Sequence, residues 1–307
     1  MFHIIVNPTA GNGRGLVRAA HLAGLFESGG VEYSLTQTNA PLHARDLARQ
    51  ICAGGSRGII GIGGDGTMQE IAAGIAAASE GRAEISTPLA VFPGGSGNDF
   101  VLTAEGIHAA RTYGTRNHAA AALAVCNRVL RGEVSRIDLL TANGTAFLNI
   151  GNMGIDSLIV ANAMRHKRRL GRYAYLAAVY SSILEYESLP LTLTIDGEVS
   201  HGRYTLAAIC NGQFYGGGMH IAPMADLRDG RITLCLVQAM SRPRTMMIFP
   251  SLLLRQHHRL REVCFVQCSS FTLNTPDPQK LCLDGNLYEH SSDITFRVKP
   301  RAMPIFI

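Results

Sequence analysis

Residues 61–70 read GIGGDGTMQE. Gly61, Gly63, Gly64 and Gly66 crowd around a single acid, Asp65, directly after the run Arg57-Gly58-Ile59-Ile60. Branched apolar residues that end in glycine and lead into helix formers read as strand, turn and helix. The pattern predicts a strand over Gly58–Ile62 and a helix over Thr67–Ala78. Glycine removes the Cβ, so something approaches this backbone closely, and one carboxylate stands in the middle of the approach.

The same unit recurs on either side. Phe2–Val6 reads as a buried strand, followed by a glycine turn and a helix from Gly15 to Ser28. Val31–Thr36 is a second strand, Pro41–Ala53 a helix opened by proline, Pro88–Phe92 a fourth strand and His118–Arg131 an alanine-rich helix. Strands alternating with helices predict a parallel sheet covered on both faces. Ligands of such sheets sit outside the carboxyl ends of the strands. The glycine loops after the first, third and fourth strands lie at that edge and converge there.

After Gly132 the pattern changes. Val134–Leu140, Ala146–Asn149, Leu191–Asp196, Tyr204–Cys210, Ile232–Val237, Val263–Cys268, Phe271–Asn274 and Leu281–Asp284 are β runs joined by turn residues. Ile155–Arg165 and Gly171–Glu185 read as helices between them, and Ile294–Val298 and Pro304–Ile307 as strands. This predicts a mainly antiparallel β-sandwich or barrel. A chain of 307 residues exceeds what one hydrophobic core usually serves, so two domains are expected. Their bounds are 1–132, with a tail at 290–307, and 133–289.

Hydrophobic content of 47% against 17% charged residues excludes a disordered or fibrous chain. The formal charge of +5 suits an anionic ligand or membrane surface and does not point to nucleic acid. No stretch approaches 18 consecutive apolar residues, and the N-terminus has no signal-peptide pattern, so the expectation is a cytoplasmic protein that meets lipid only peripherally. The seven cysteines include no CxxC; Cys264 and Cys268, four apart on a predicted strand, are expected to pack in the core as reduced thiols.

Glycine-rich loops at one sheet edge make a phosphate site. Phosphate oxygens approach backbone N–H groups where no Cβ intervenes, and the N-terminus of a helix at Thr67 adds further donors. Gly61, Gly63 and Gly66 satisfy GxGxxG, but they follow the third strand rather than the first, and no GxxxxGK[ST] occurs. A carboxylate beside phosphate is repulsive unless a divalent cation lies between them or the acid handles a proton. Asp65 therefore points to phosphoryl transfer rather than nucleotide storage.

Asn7-Pro8-Thr9-Ala10-Gly11, Gly63-Gly64-Asp65-Gly66-Thr67 and Pro93-Gly94-Gly95-Ser96-Gly97-Asn98-Asp99-Phe100 resemble the three nucleotide-site motifs of the diacylglycerol kinase catalytic family. The likeness continues through Gly216-Gly217-Gly218, Ala222-Pro223, Asp229-Gly230 and Leu283-Asp284-Gly285, in the family's order along nearly the whole chain. The resemblance implies an α/β domain with the GGDGT loop that NAD kinases and phosphofructokinases share, followed by a β-sandwich domain. It implies ATP and Mg²⁺ as cofactors and a lipid substrate at the membrane surface. Asn7, Pro8, Thr9, Ala10 and Gly11, Gly63 to Gln69 (Met68 included), Thr38, Ser96 and Asn98 would then line the nucleotide. Asp65 and Asp99 would organise one Mg²⁺ through water, and Asp229 with the carbonyls of Asp226 and Arg231 a second, structural one. A homodimer is compatible with the resemblance, and the family's habit of returning its tail to the first domain accounts for the strands after residue 290.

Two positions depart from the family. Gln69 stands where the family has asparagine, and Asn286 replaces the glutamate assigned as the base for the lipid hydroxyl. An amide cannot accept that proton. General-base help is worth ~10²–10⁴ in rate, so turnover survives if Asp284 or Asp65 takes over the role. The alternatives are a non-catalytic protein that binds nucleotide or lipid, and a kinase acting on NAD or a sugar phosphate. One further run, Arg165-His166-Lys167-Arg168-Arg169 with Leu170, Tyr173, Tyr175 and Leu176 behind it, is either a solvated helix end or a contact to anionic lipid. His257 and His258 are adjacent and face different ways, which argues against shared metal ligation.

Overall fold

The computed structural model describes residues 1–95, 97–114, 117–155, 158, 159, 162, 174–290 and 292–306, with the backbone alone at 107–114, 174–177, 253 and 290. Ser96, the basic run 165–169, Leu170 and Tyr173 lie outside the described residues, as do the side chains of Tyr175 and Leu176.

In the first half β1 (Phe2–Val6), α1 (Arg14–Ser28), β2 (Tyr33–Gln37), α2 (His43–Ala53), β3 (Gly58–Gly63), α3 (Asp65–Ala78) and β4 (Leu89–Pro93) alternate as expected. The strands pair in parallel in the order β2-β1-β3-β4. Every residue of β3 is buried, which is why it reads as an unbroken apolar run, whereas β2 at the edge is half-exposed. Two more helices follow, α4 (Asp99–Gly114), interrupted at Gly106, and α5 (His118–Arg131). The helices pack in pairs, α1 with α5 and α2 with α3. Asn117 caps α5 by accepting from the Ala120 N–H at 3.0 Å, and Gly132 ends it in the left-handed region.

The second half contains β5 (Val134–Ala142), β6 (Thr145–Phe147), β7 (Ile150–Gly154), α6 (Ala174–Glu185), β8 (Leu189–Ile195), β9 (Glu198–Cys210), β10 (Phe214–Tyr215) and β11 (Met219–His220). It continues with β12 (Ile232–Gln238), α7 (Arg242–Leu253), β13 (Val263–Cys268), β14 (Ser270–Asn274), β15 (Gln279–Leu283), β16 (Asn286–His290) and β17 (Asp293–Phe306). Its strands pair antiparallel. Asn143-Gly144, Asp196-Gly197 and Asp284-Gly285 each join two strands with φ positive at both residues, the geometry of tight right-twisted hairpins. Asp229-Gly230 does not: it lies in the loop before β12, where the Asp229 carboxylate accepts from the Arg231 N–H at 2.8 Å.

The two tail strands expected after residue 290 are one. β17 starts against β14, runs along β5, shifts register between Lys299 and Met303, and ends beside β4 in parallel, Ile305 opposite Leu89. Phe306 packs edge-on to Phe2 with ring centres 6.3 Å apart. One hydrophobic core therefore gathers Phe2, Phe26, Ile59 and Phe92 with Met303 and Ile305 from the tail, a second centres on Phe147, Phe271 and Phe296, and a third lies beneath α6 and α7.

Other expectations need correction. Helix α3 begins at Asp65, two residues before Thr67, because Gly64 is extended and supplies the first helical carbonyl. Helices α4 and α7 were not anticipated. His257 and His258 sit on a single 3₁₀ turn, with His257 buried against the Ile221 carbonyl at 2.8 Å. None of the seven cysteines is in a disulfide, and Cys264 is exposed while Cys268 is buried.

Candidate active site

The glycines of the three loops admit, first of all, each other. A Cβ on Gly11 (φ +58°) would lie 2.1 Å from the Gly94 carbonyl oxygen, and one on Gly95 would lie 2.5 Å from Gly64 Cα. The backbones of 7–13, 63–66 and 94–98 are thus packed layer on layer at the carboxyl edge of β1, β3 and β4. Asn7 orders the first loop: its Oδ1 accepts from the N–H and hydroxyl of Thr9, and its Nδ2 donates to Thr67 Oγ1 at 3.1 Å. Asn98, itself left-handed at φ 57°, closes the third loop through both directions of its amide to Gly95. Thr38 stands at the end of β2, its N–H on the Val6 carbonyl at 2.9 Å. Gly64 offers no capping side chain at the N-terminus of α3, and with the Thr67 N–H on the Gly64 carbonyl at 3.0 Å the N–H groups of Asp65 and Gly66 stand at its open end.

Met68 does not face that space. Its sulfur packs under Gly61 in the core, and its N–H is taken by the Gly64 carbonyl. Gln69 is also fully buried: it donates to the Ala146 carbonyl at 2.7 Å and accepts from Asn286 and Tyr288. Of the stretch 63–69, the N–H groups of 64–66 and the Asp65 side chain remain for a ligand, the carbonyls of Gly63, Gly64 and Gly66 being taken within the fold.

Three acids line a cavity of about 420 Å³ between the two halves: Asp65, Asp99 and Asp284. Asp65, at the start of α3, accepts from the N–H groups of Asp99 and Phe100 at 3.2 and 3.1 Å and so caps α4. Its carboxyl is raised by desolvation, against the pull of those donors. Asp99 accepts from Gly217 and Gly218 at 2.9 and 2.7 Å, which ties the third glycine loop to the Gly216-Gly217-Gly218 turn of the other half. Burial, then the nearby Asp65 charge, pushes Asp99 up to about 6. Asp284, at the tip of the β15–β16 hairpin, accepts from Leu148, Asn149 and Ile150 at 2.7, 3.0 and 2.8 Å. Burial pushes it up to about 7 despite these donors.

Asn286, two residues on, faces the other way. Its Nδ2 donates to the Gly66 carbonyl at 2.9 Å and to Gln69 Oε1 at 2.8 Å, and its Oδ1 covers Gly66. The two positions that depart from the family pattern are therefore hydrogen-bonded to one another.

Asp65 and Asp99 fit a shared cation. A Cβ at Gly97 would lie 2.9 Å from one Asp99 oxygen and 3.2 Å from one Asp65 oxygen, so the carboxylates face one space, and hard oxygen donors suit Mg²⁺. Among the described residues no three His, Cys, Asp or Glu side chains cluster closely enough to hold a metal, so such an ion would draw the rest of its shell from water and phosphate. At the proposed second metal position, Asp226 and Asp229 are each turned onto their own loop, accepting from the N–H groups of Arg228 and Arg231. Asp138, which no sequence motif marks, is fully buried beside them and accepts from Gly230 and Arg301 at 2.6 and 2.7 Å, fastening this loop to β17. A lone acid in the apolar strand RIDLL was its signal. Asn149 and Asn152, close together in a largely apolar stretch, likewise belong to no motif. Both line the acid cavity, and the buried Asn152 Oδ1 has no hydrogen-bond partner among the described residues.

Comparison with known proteins places the chain in a family. The diacylglycerol kinase catalytic domain matches residues 1–142, and the YegS C-terminal NAD kinase beta sandwich-like domain matches residues 150–307. The chain belongs to the diacylglycerol kinase catalytic family. It is 30% identical over 281 residues to a diacylglycerol kinase of Mycobacterium tuberculosis, covering 89% of this chain and 84% of that protein. A diacylglycerol kinase of Bacillus subtilis is 25% identical over 299 residues, 94% of this chain and 93% of that one. A crystal structure of a diacylglycerol kinase from Bacillus anthracis superposes with a TM-score of 0.73 at 24% identity over 99% of this chain and 96% of that one, which shows the shared fold. Within this lipid-kinase family fold, the cavity with Asp65, Asp99 and Asp284 lies where β-layer, glycine loops and hairpin meet.

Proposed function

We propose that this protein transfers the γ-phosphoryl group of ATP to the hydroxyl of a membrane lipid, with Mg²⁺ as the metal and peripheral contact with the membrane. The observation that carries the reading is the neighbourhood of the acid cavity. Ile159 and Tyr215 form part of its wall and also part of the wall of a second cavity, about 90 Å³, whose other lining is almost wholly apolar: Val179, Leu206, Ile248 and Phe249 among others. A polyphosphate side built of backbone N–H groups thus adjoins an apolar side suited to an acyl chain. A sugar phosphate or NAD has no use for the latter.

The chemistry divides among the residues accordingly. The N–H groups of 64–66, with the loop 7–11 packed beside them, would hold the phosphates. Asp65 and Asp99 would hold the metal, which supplies charge neutralisation for the transferring group. Asn152 offers an unsatisfied acceptor to the lipid hydroxyl or its headgroup. Asp284, raised to about 7, is matched to proton uptake near neutrality, the task Asn286 cannot perform.

The test is a radiolabelled ATP assay over diacylglycerol, monoacylglycerol, a sphingoid base and NAD. Label in a lipid fraction is expected. Label in NAD alone would overturn the reading, and tight ATP binding with no labelled product would favour the non-catalytic alternative that Asn286 raises.

A further inference from the structure

Helix α7 is apolar on both sides. Thr245, Ile248, Phe249 and Leu252 point inward and line the apolar cavity. Pro243, Met247, Pro250 and Leu254, spaced four, three and four apart, form a second stripe that is exposed, Met247 and Leu254 each at 71%. Between Arg244 and Arg255 there is no charged residue. A helix of a soluble protein normally turns a polar face to water, and one that is apolar all round is normally covered.

The neighbouring α6 continues the patch. Tyr180 packs edge-on to Phe249, ring centres 6.2 Å apart, and Tyr180 and Leu184 are themselves 41% and 55% exposed. Around α7 itself the charge is mostly positive, while two exposed acids, Glu185 and Glu187, stand at the far end of α6, Glu187 on the same pocket wall as Arg242. Arg242 and Arg244 precede the apolar run, and Arg255, Arg259 and Arg261 follow it. The one acid in this segment, Glu262, is buried and already engaged by Arg244 at 2.9 Å and Arg261 at 3.6 Å. Arg242, Arg255 and Arg259 are exposed.

We infer that the outer face of α7, with Tyr180 and Leu184 of α6, docks on the surface of an anionic lipid bilayer. Twelve residues rise about 18 Å, short of the ~30 Å hydrocarbon core, so the helix lies along the interface rather than across it. Arginines at both ends reach the phosphate level while the stripe between them enters the acyl boundary. A protein partner would be expected to bring acids to so many arginines; a bilayer offers negative charge and apolar depth together. The inner face of the same helix lines the cavity, so docking would set that cavity against the bilayer. This last step rests on the lipid-kinase reading; the docking itself does not.

The experiment is co-sedimentation of the full chain with vesicles of phosphatidylcholine, with and without phosphatidylglycerol. Wild-type protein is expected to bind the anionic vesicles and to be released by salt. Arg242→Glu with Arg259→Glu should weaken binding about fivefold or more per charge, and Met247→Asp with Leu254→Asp about tenfold or more. Both variants should melt like wild type and retain turnover of lipid presented in detergent micelles. Should the aspartate pair fail to fold, Met247→Gln with Leu254→Gln replaces it. Unchanged vesicle binding by the variants overturns the inference, as does a wild-type dimer in sedimentation velocity that Met247→Asp dissociates. Vesicle binding that depends on these residues, in a protein that phosphorylates no lipid, upholds the docking surface and sinks only the kinase reading.

Discussion

The two walls of the acid cavity are built by opposite means. On the glycine-loop wall, backbone packs on backbone: Gly11 against Gly94, Gly95 against Gly64. Asp65 there is held by the neighbouring helix start, and Asp99 is the acid of that wall that reaches across, to Gly217 and Gly218. On the hairpin wall, side chains reach across the chain. Asp284 takes N–H groups 134–136 residues away, and Asn286 takes a carbonyl 220 residues away. A wall made of main chain can spare the side chain it displays for chemistry, whereas a wall made of side chains uses the same groups for chemistry and for cohesion.

The largest expected effect separates these cases. Asp65→Asn should cut phosphoryl transfer ~10³-fold, in the range seen when a preorganised charge is lost, with a stability loss of only ~1 kcal/mol. Asp284→Asn should cut transfer ~10²-fold or more and also destabilise by ~2–3 kcal/mol, because one amide oxygen cannot serve three buried N–H groups. Initial rates and urea unfolding of the two variants check this. Equal stability losses would mean that the walls are not built differently after all.

The next effect is on pH dependence. Asp99 and Asp284 are raised from an ordinary 3.8 to about 6 and about 7, chiefly by burial. The folded chain therefore keeps protons that the unfolded chain releases as pH climbs past 4. The stability these groups confer is whole below about 4 and is lost as pH rises through about 6 and about 7. For Asp99 a raise of about two units corresponds to ~3 kcal/mol. Urea unfolding in the presence of a chelator should give a higher unfolding free energy at about pH 5 than at about pH 8, from these groups. The slope should be shallower in Asp284→Asn. A flat wild-type profile would show that the N–H donors on Asp99 and Asp284 offset the burial of both.

What the sequence made legible follows the same division. The parallel half could be read because its strands are short apolar runs ending in glycine, and its loops are local in the chain. The motif acids Asp65, Asp99 and Asp284 could be read by resemblance. Asp138, Asn149 and Asn152 could not: the first two act on partners distant in sequence, and a single polar residue in a buried strand carries no spacing to read. Helix α7 was hidden for another reason: with both faces apolar it shows no amphipathic period. Nor could the sequence reveal that the glycines make room for each other as well as for phosphate.

The smallest effect concerns Asn286. If its only defect were the lost base, Asn286→Glu would speed the reaction. The structure predicts the reverse for the single change. A carboxylate there would face two acceptors, the Gly66 carbonyl and Gln69 Oε1, and Gln69 cannot turn its amide round without setting its oxygen against the Ala146 carbonyl. Asn286→Glu alone should therefore lose activity about tenfold or less and destabilise the protein by ~1–2 kcal/mol. Adding Gln69→Asn, which restores the pair the family uses, shortens the side chain away from Ala146 and frees its N–H₂ to meet the new carboxylate. The double variant should regain part of both losses, a coupling of ~1 kcal/mol in a double-mutant cycle. Strict additivity would mean that the two departures met by chance. Positive coupling would mean that they are one change, made together at the joint between the hairpin wall and the helix that follows the glycine wall.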